Sequence, residues 1–275
     1  MQNETVKNPY LPDVTFEAIP IKDLITDQDY QRALSERHVK QLTDNFDLLQ
    51  IRPIRVSRRD GKNYVMDGQH TIATIYTASG SAETPVWCMI YEQLEYQREA
   101  NIFANQQKYV KNLTAYEIFV ANIEAGSDKH LMIKDIVESH GLEISTMSKQ
   151  NGICAVGALE YIYDNYDIEI FNRTLRLLIG TWEGSSLSLG AGMLKGMAKL
   201  LNAVGDEIID SVFIERLGHS SEREIIRSAR ERRGGQMGFA EAILLVYNKK
   251  SHTTPSLDQL YRKKSRKKKI VQEEE

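Results

Sequence analysis

A short polar sequence, Asp67-Gly68-Gln69-His70, stands between an apolar strand pattern and an apolar helix pattern. Gly68 permits a tight turn in which the backbone approaches a ligand closely. The helix that follows presents free N–H groups and the positive end of its dipole, and Gln69 and His70 add side-chain donors. This arrangement favours binding of an anion, most simply a phosphate. In the alternative interpretation Asp67 only caps the helix, and His70 is a partly buried surface residue.

Asp67 and His70 also have the chemistry of an enzyme site. An aspartate and a histidine in one turn could serve as acid and base, or could position a metal ion, in a nuclease or a nucleoside triphosphatase. Both residues are therefore candidate catalytic groups. The two cysteines, Cys88 and Cys154, lie in apolar stretches, which predicts buried, unpaired thiols. Cysteines and histidines show no zinc-ligand spacing, so we predict no metal site.

The elements around the turn predict a compact α+β domain, a small mixed sheet with helices, from residue 14 to residue 126. Alternating apolar residues predict strands, and Asp60-Gly61 between two of them favours a tight hairpin. Apolar residues at spacings of three and four predict helices, and Ser35 is placed to cap the first of these. The predicted strands cover residues 14–21, 53–57, 63–66 and 85–91. The predicted helices cover residues 35–46, a stretch from the turn to residue 79, 95–104 and 114–123.

From residue 127 to residue 255 the strand signals end, and successive helical patterns predict an all-α domain. Ser221 with Glu224 predicts a capping box at the start of one helix. Residues 1–13 are predicted to be an N-terminal extension. The predicted helices cover residues 131–140, 153–163, 171–180, 193–204, 207–217, 221–232 and 239–248.

Positive charge is concentrated at the end of the chain, in a basic tail predicted over residues 256–275. Its last fourteen residues hold seven Lys or Arg and three Glu, a net +4, which leaves −7 for residues 1–261. The segment has too few apolar residues to pack, so we expect it to be disordered. It could hold nucleic-acid phosphates without reading sequence, or could simply be a solvated charge run. The candidate nucleic-acid residues are Arg262, Lys263, Lys264, Arg266, Lys267, Lys268 and Lys269.

A second group of basic residues lies on the helix predicted over residues 221–232. Arginines at spacings of three and four could meet DNA phosphates, but three glutamates are interspersed, which favours an exposed, ion-paired face. The segment 131–144 contains acidic residues that make it a poor recognition helix. The arginines are Arg223, Arg227, Arg230, Arg232 and Arg233.

Composition and hydropathy restrict the class of protein. Of 275 residues, 41% are hydrophobic and 27% are charged, which is ordinary for a globular protein and enough for two cores. No apolar run reaches the roughly 18 residues typical of a membrane span, and the first residues lack the pattern of a signal peptide. We therefore expect a cytoplasmic protein without a membrane partner.

Three separated segments resemble, in the right order, the ParB/sulfiredoxin superfamily, specifically its DGQHR-type members in phages and mobile elements. Tyr30-Gln31-Arg32 resembles the first box of that family. Asp67-Gly68-Gln69-His70-Thr71-Ile72-Ala73 resembles the second box. The third is resembled by Ala104-Asn105-Gln106-Gln107-Lys108 together with Asn112-Leu113-Thr114-Ala115-Tyr116-Glu117. The resemblance covers about residues 14 to 120 and implies a ParB N-terminal-like fold for this domain.

The resemblance also implies ligands. ParB proteins bind and hydrolyse CTP at the second and third boxes and clamp DNA, and other relatives use ATP or are nucleases. A nucleoside triphosphate, CTP or ATP, with Mg²⁺ is therefore the expected cofactor, and DNA the expected partner. Asn105 and Gln107 could coordinate phosphate or magnesium, or could only satisfy backbone groups at a helix end. The implied ligand-binding residues are Arg32, Gly68, Gln69, His70, Thr71, Asn105, Gln107 and Lys108.

Two positions depart from the pattern of the superfamily. Gln69 stands where sulfiredoxins carry their nucleophilic cysteine, so the repair reaction of sulfiredoxins is not expected. Thr71 stands where the family has an arginine, whose guanidinium would make a bidentate contact to phosphate. Arg32 or Lys108 could supply this missing charge from a neighbouring segment, or either could be a solvated surface residue.

Three functions follow as hypotheses. The first is a ParB-like nucleotide- or phosphate-binding protein that acts in the DNA transactions of a phage or mobile element. The second is an enzyme, a nuclease or a CTPase-like NTP hydrolase, that uses Asp67 and His70. The third is a noncatalytic adaptor whose site has degenerated along with the arginine at position 71. Turnover separates the second hypothesis from the others, and nucleotide titration separates the first from the third.

Overall fold

The computed structural model describes residues 12–26, 30–108, 111–249 and 255–262. The chain divides into two units, Met1–Lys111 and Asn112–Glu275. This division lies earlier than the boundary after residue 126 that the sequence suggested. The reason is the helix Ala115–Glu124, whose Phe119 is buried in the hydrophobic core of the second unit.

A mixed sheet organises the first unit, as predicted, but it has five strands where the sequence predicted four. The strands are β1 Val14–Pro20, β2 Leu24–Thr26, β3 Ile54–Arg59, β4 Lys62–Asp67 and β5 Pro85–Glu92. Its strands stand in the order β1-β5-β3-β4-β2; β1 pairs antiparallel with β5, and β2 pairs parallel with β4. β3 runs parallel to β5 and antiparallel to β4, with Asp60 and Gly61 forming the hairpin at φ of 52° and 69°. The short edge strand β2 was not predicted.

Three α-helices accompany this sheet in the described part of the first unit. Ser35 caps the first helix, because its hydroxyl accepts a hydrogen bond from the His38 N–H at 3.3 Å. The second helix adds Ile75 to a core formed by one face of the sheet. The helices are α1 Glu36–Asp44, α2 Gln69–Ser79 and α3 Tyr96–Lys108, with 3₁₀ turns at Ile21–Asp23 and Leu48–Gln50. The core side chains of the sheet are Ile19, Ile54, Val56, Val65, Val86, Cys88 and Ile90.

The second unit is mostly helical, but the expectation of an all-α domain is wrong in one place. Two short strands, β6 Glu143–Ile144 and β7 Gly152–Ile153, form a parallel pair. Each has only two residues, which is too short to produce a periodic sequence pattern. The helices are α4 Ala115–Glu124, α5 Asp128–Ser139, α6 Val156–Asn165, α7 Ile168–Trp182, α8 Ala191–Val204, α9 Asp210–Gly218, α10 Glu222–Arg232 and α11 Gly235–Asn248, with 3₁₀ turns at Gly205–Glu207 and Leu257–Tyr261.

The core of the second unit is built around the close packing of α8 against α11. Gly196 permits this approach, because a Cβ atom there would lie 2.3 Å from the Cβ of Phe239.

The predicted burial of both cysteines holds for Cys88 but is wrong for Cys154, which is exposed just before α6. Among the described residues, no helix combines the length and the apolar character that crossing a membrane requires.

Candidate functional site

The polar turn lies where β4 ends and α2 begins. Asp67 is the last residue of β4, and Gly68 adopts φ 111° and ψ 13°, a conformation that strongly favours glycine. A Cβ atom on Gly68 would also lie 2.7 Å from Cδ1 of Ile54, whose side chain is buried in the core. The sequence-predicted tight turn is therefore fixed both by backbone conformation and by close approach to β3.

No side chain of the described residues caps the N-terminus of α2. The interpretation of Asp67 as a helix cap is therefore not supported. The first backbone N–H groups of an α-helix have no partner within the helix, and here they belong to Gln69, His70 and Thr71. An uncapped helix N-terminus of this kind offers aligned donors and a positive partial charge to an anion.

The turn is held by a segment that we call the clamp segment, Tyr30–Ser35. Gln31 Nε2 donates a hydrogen bond to the carbonyl oxygen of Val65 in β4. Gln69 Nε2 donates to the carbonyl oxygen of Arg32 at 2.5 Å. The backbone N–H of Ser35 donates to Nε2 of His70 at 3.1 Å. The side chains of Gln69 and His70, expected to point toward a ligand, thus also position the chain beside the turn.

The electrostatic environment of His70 favours its neutral form. Burial lowers the pKa of His70 below its usual value, and the positive charges of His38 and Arg32 lower this pKa further. The His38 and His70 rings lie 5.3 Å apart, edge to face. Because Nε2 accepts the Ser35 N–H, the proton of a neutral ring stands on Nδ1. His70 therefore retains one donor, Nδ1–H.

A buried carboxylate of α3 accepts a hydrogen bond from the first residue of the clamp segment. Glu99 of α3 is fully buried and accepts a hydrogen bond from Arg59 Nε at 3.0 Å and one from the Tyr30 hydroxyl at 3.5 Å. The Arg59 guanidinium lies 3.8 Å from the centre of the Tyr64 ring. The Tyr30 ring packs against Phe103 of α3 at 5.6 Å. The clamp segment is thereby fixed to α3 by the hydrogen bond and ring contacts of Tyr30, and the Arg59–Glu99 ion pair joins α3 to β3. The sequence analysis predicted neither.

The residues of the third predicted box divide between the two units. Asn105 lies in α3 and donates to Asn101 Oδ1 at 2.8 Å, an interaction within one helix. Gln107 and Lys108 occupy the last turn of α3. Thr114 and Glu117 form a capping box at the start of α4, which gives this part of the box a structural role. The structure thus brings Arg32, Gln69 and His70 together but shows no shared contact between Asn105 and the turn.

Thr71 lines a cavity of about 210 Å³ beside the turn. Arg52, which follows the 3₁₀ turn Leu48–Gln50, lies on the wall of the same cavity. This arginine was not among the residues expected to replace the missing family arginine. It lies nineteen positions before Thr71 in sequence, and only the fold brings the two together. The other polar lining residues are Asn45, Asp47, Gln50 and Thr74.

The basic tail is the last of the sites predicted from the sequence, which predicts no metal site. The described residues contain no group of three or more His, Cys, Asp or Glu side chains placed to hold a metal ion. Arg262 is exposed at the end of the last described segment. The predicted nucleic-acid residues Lys263, Lys264, Arg266, Lys267, Lys268 and Lys269 lie outside the described residues.

The fold and the site define a protein with a mixed-sheet domain, an uncapped helix N-terminus at its polar turn, and a mostly helical second unit. Residues 25–258 match the model of the family of unknown function DUF6551, and the chain belongs to that family. No curated protein sequence matches the chain.

Solved ParB structures are similar to this chain at low identity. One is the C-terminally truncated ParB of Caulobacter crescentus complexed with CTP-γ-S, at 13% identity and TM-score 0.36, covering 83% of this chain and 99% of that chain. The same truncated protein complexed to the centromeric parS site has 15% identity, TM-score 0.27 and coverages of 76% and 95%. A Pnob8-like ParB-N domain has 15% identity, TM-score 0.26 and coverages of 87% and 96%. Because all three TM-scores are below 0.5, these similarities assign neither a fold nor a function to this chain.

Proposed function

We propose that this chain is a ParB-like phosphate- or nucleotide-binding protein that acts in the DNA transactions of a phage or mobile element. The uncapped N-terminus of α2 at the Gly68 turn is the observation that supports phosphate or nucleotide binding. The backbone N–H groups of Gln69, His70 and Thr71 would cradle a phosphate there. The ParB-like assignment rests on the three sequence boxes, and the mobile-element context rests on the DGQHR-type resemblance.

The charges and donors near this turn fit a phosphate. The charge of Arg32 acts on His70, which places a guanidinium near the turn, and His70 offers its Nδ1–H as a further donor. Arg52 on the cavity beside Thr71 adds a second guanidinium, in place of the arginine that the family pattern has at position 71. A triphosphate could thus meet backbone donors and two positive charges.

A nucleoside triphosphate, CTP or ATP, is the proposed ligand class, with Mg²⁺ carried in by its phosphates. Magnesium is usually bound through substrate phosphates and one or two carboxylates, and it keeps several waters. Asp67 is the carboxylate on the turn itself, so it would be the protein group that meets the ion. Asn105, Gln107 and Lys108 remain proposed ligand contacts from the last turns of α3.

The enzyme alternative asks more of His70 than binding does. A general base needs a free ring nitrogen, whereas Nε2 accepts the Ser35 N–H and Nδ1 carries the proton. In this arrangement His70 can donate to a phosphate oxygen but cannot take a proton until the clamp segment moves. Binding without rapid turnover is therefore the function that the geometry favours.

Calorimetric titration with the four nucleoside triphosphates, with and without Mg²⁺, tests the binding proposal. We expect one nucleotide to bind, and Arg32→Gln to weaken it about tenfold or more, because a charged hydrogen bond contributes about 1.5–3 kcal/mol. Arg98→Gln, an exposed arginine on α3, is the matched control and should bind like the parent. Failure of every nucleotide to bind would favour the adaptor hypothesis. Phosphate release during the titration would favour the enzyme hypothesis.

A further inference from the structure

Ser127, His130 and Glu160 of the second unit form a hydrogen-bonded chain. The Ser127 hydroxyl lies 2.7 Å from Nδ1 of His130, and Nε2 of the same ring lies 3.2 Å from Oε1 of Glu160. Ser127 directly precedes α5, His130 lies in the first turn of that helix, and Glu160 belongs to α6. A nucleophile, a base within hydrogen-bond reach and a third group that orients the base are the parts of a nucleophilic catalytic site.

The proton positions in this chain of hydrogen bonds suit transfer from the serine. The Glu160 carboxylate can only accept, so it holds the ring proton on Nε2. Nδ1 of the neutral ring then carries a lone pair and accepts the hydrogen bond of the Ser127 hydroxyl. The His130 ring is buried beside Phe119, with the two ring centres 5.2 Å apart. The imidazole is therefore held in the tautomer that can take the proton of Ser127.

A second serine of the chain has the same spacing to a histidine and makes a different contact. Ser35-Glu36-Arg37-His38 and Ser127-Asp128-Lys129-His130 share the order serine, acidic residue, basic residue, histidine, and each serine directly precedes a helix. The Ser35 hydroxyl accepts the backbone N–H of His38 at 3.3 Å, as an N-cap does. The Ser127 hydroxyl makes no capping bond and contacts the imidazole ring instead. Helix capping thus explains the position of the Ser35 hydroxyl but not that of Ser127.

The start of α5 also supplies donors for a developing negative charge. No side chain in the described parts of the protein caps this helix, so the backbone N–H groups of Asp128 and Lys129 have no partner within it. The N–H of His130 is already bound to the Ser127 carbonyl oxygen at 3.0 Å. In acyl transfer, the N–H of the residue after a nucleophilic serine is a recurrent oxyanion donor. Asp128 occupies that position here.

We propose that Ser127, His130 and Glu160 form a second site, at which small carboxylic esters acylate Ser127. Ser127 Oγ bonds to the ester carbonyl carbon as its proton passes to Nδ1 of His130, and the Asp128 N–H donates to the oxyanion. The C–O bond of the ester then breaks, and the alcohol leaves with the proton from Nδ1. Water attacks the acyl-serine as Nδ1 takes its proton; the acid leaves, and that proton returns to Ser127. Glu160 positions the ring through Nε2–H and contacts no substrate atom.

The exposure of the three residues favours a small ester as the substrate. Ser127 is partly exposed, so a reagent can reach its hydroxyl, whereas the His130 side chain is only 11% exposed and is shielded from water. An alcohol leaves more readily than an amine, so an ester needs less oxyanion stabilisation than an amide, which fits a site with backbone donors only. This activity goes beyond the proposed function and does not depend on nucleotide binding at α2.

Labelling of the full chain with a fluorophosphonate, a probe that phosphonylates activated serines, tests this site. Peptide mass spectrometry should find the label on Ser127 and not on Ser35, and the parent should hydrolyse p-nitrophenyl acetate with saturation. Ser127→Ala should abolish both the label and the saturable hydrolysis. His130→Gln should lower the labelling rate by about 100-fold or more, the usual contribution of a general base.

Glu160→Gln tests the orienting role, with Asp164→Asn as the matched control. Both acidic residues lie on α6 and hold a residue of α5: Glu160 faces His130, and Asp164 accepts a hydrogen bond from Lys129 Nζ at 2.7 Å. If both contacts only joined the two helices, the two variants would behave alike. We expect Glu160→Gln to slow labelling by more than about tenfold, Glu160→Asp to restore part of the rate, and Asp164→Asn to match the parent.

Ser127→Cys keeps the proposal testable if a variant at position 130 or 160 does not fold. Its thiol should react with iodoacetamide faster than the exposed thiol of Cys154, because an imidazole lies within reach of its proton. A thiol no faster than that of Cys154 would overturn the proposal. So would a label absent from Ser127 or equal on Ser35, or an unchanged labelling rate in folded Glu160→Gln. The nucleotide titration bears only on the α2 site, so its failure leaves these outcomes as they are.

Discussion

The two units differ in whether their candidate binding residues also hold the fold together. In the first unit, Gln69 and His70 at the turn hold the clamp segment through hydrogen bonds, and in the proposed function they also contact the ligand. In the second unit, the stability comes from apolar packing such as α8 against α11, and the arginines of α10 lie outside that core. Substitutions at the turn should therefore change stability and binding together, whereas substitutions of the exposed α10 arginines should change stability little.

The largest expected effect is the loss of the buried carboxylate under the clamp segment. Glu99→Ala should destabilise the first unit by about 3 kcal/mol, because it leaves the Arg59 charge without its buried partner. This value is at the lower end for a buried ion pair, since the Arg59 side chain is 24% exposed. Urea unfolding followed through Trp87, the tryptophan of the first unit, measures this in a Trp182→Phe background.

Glu231→Ala is the control for that experiment. Glu231 faces Arg227 at 4.0 Å on the exposed side of α10, so its loss should cost less than about 1 kcal/mol. Equal effects of the two substitutions would remove the distinction between a buried anchor in the first unit and a surface charge in the second.

The next effect concerns the turn itself. Gly68→Ala should destabilise the first unit by about 1–3 kcal/mol through backbone strain, with an added cost from the contact with Ile54, and it should abolish nucleotide binding. Gly80→Ala is the control variant. Gly80 ends the same helix at φ 68°, and no heavy atom lies within 4 Å of the Cβ that alanine would add there. It carries only the milder strain of the left-handed α region and no such contact, so its loss of stability in the same urea assay should be smaller.

Restoring the family arginine at position 71 should strengthen binding. Thr71→Arg adds a guanidinium in the first turn of α2, and a charged hydrogen bond to phosphate contributes about 1.5–3 kcal/mol, a tenfold to hundredfold gain in nucleotide affinity. The double variant Thr71→Arg, Arg52→Gln shows by calorimetry whether Arg52 already occupies that position. If it does, Thr71→Arg alone gains little because the two charges repel each other. Weaker binding by both folded variants contradicts a phosphate at this turn.

The smallest effect is a pH dependence. The pKa of His70 is lowered in the folded protein, so the unfolded chain binds the proton more readily. The first unit should lose stability as the pH falls below about 6.5, and the loss should level off below the folded pKa. His70→Gln should flatten this part of the curve of unfolding free energy against pH. His219→Gln, in the second unit, should leave the curve of the first unit unchanged.

Local features of the fold could be predicted from the sequence because each depends on neighbouring residues. The Asp60-Gly61 hairpin, the Ser35 cap and the Ser221–Glu224 capping box are confirmed. The clamp segment could not be predicted, since Arg32 and Gln69 are 37 residues apart and their bond uses a backbone carbonyl that has no sequence signature. The same holds for Arg59 and Glu99, 40 residues apart.

The site could be predicted only in outline. Glycine after a strand and before a helix indicates the turn at Gly68, and the boxes indicate Arg32 and His70 as its neighbours. Sequence patterns do not show which side-chain atoms already form hydrogen bonds. Only the structure shows that Gln69 Nε2 and His70 Nε2 are hydrogen-bonded to the clamp segment. Arg52 was missed because it lies nineteen positions before Thr71 in sequence, and only the fold brings the two residues to one cavity.

Hydrogen–deuterium exchange at the start of α2 tests the central claim most directly, because the claim is that a phosphate binds the free N–H groups there. With a saturating nucleoside triphosphate and Mg²⁺, exchange of the backbone amides of Gln69, His70 and Thr71 should slow strongly. Amides near the C-terminal end of α2, toward Ser79, should exchange as before. Nucleotide binding that leaves the amides of residues 69–71 exchanging at their original rate would contradict the account.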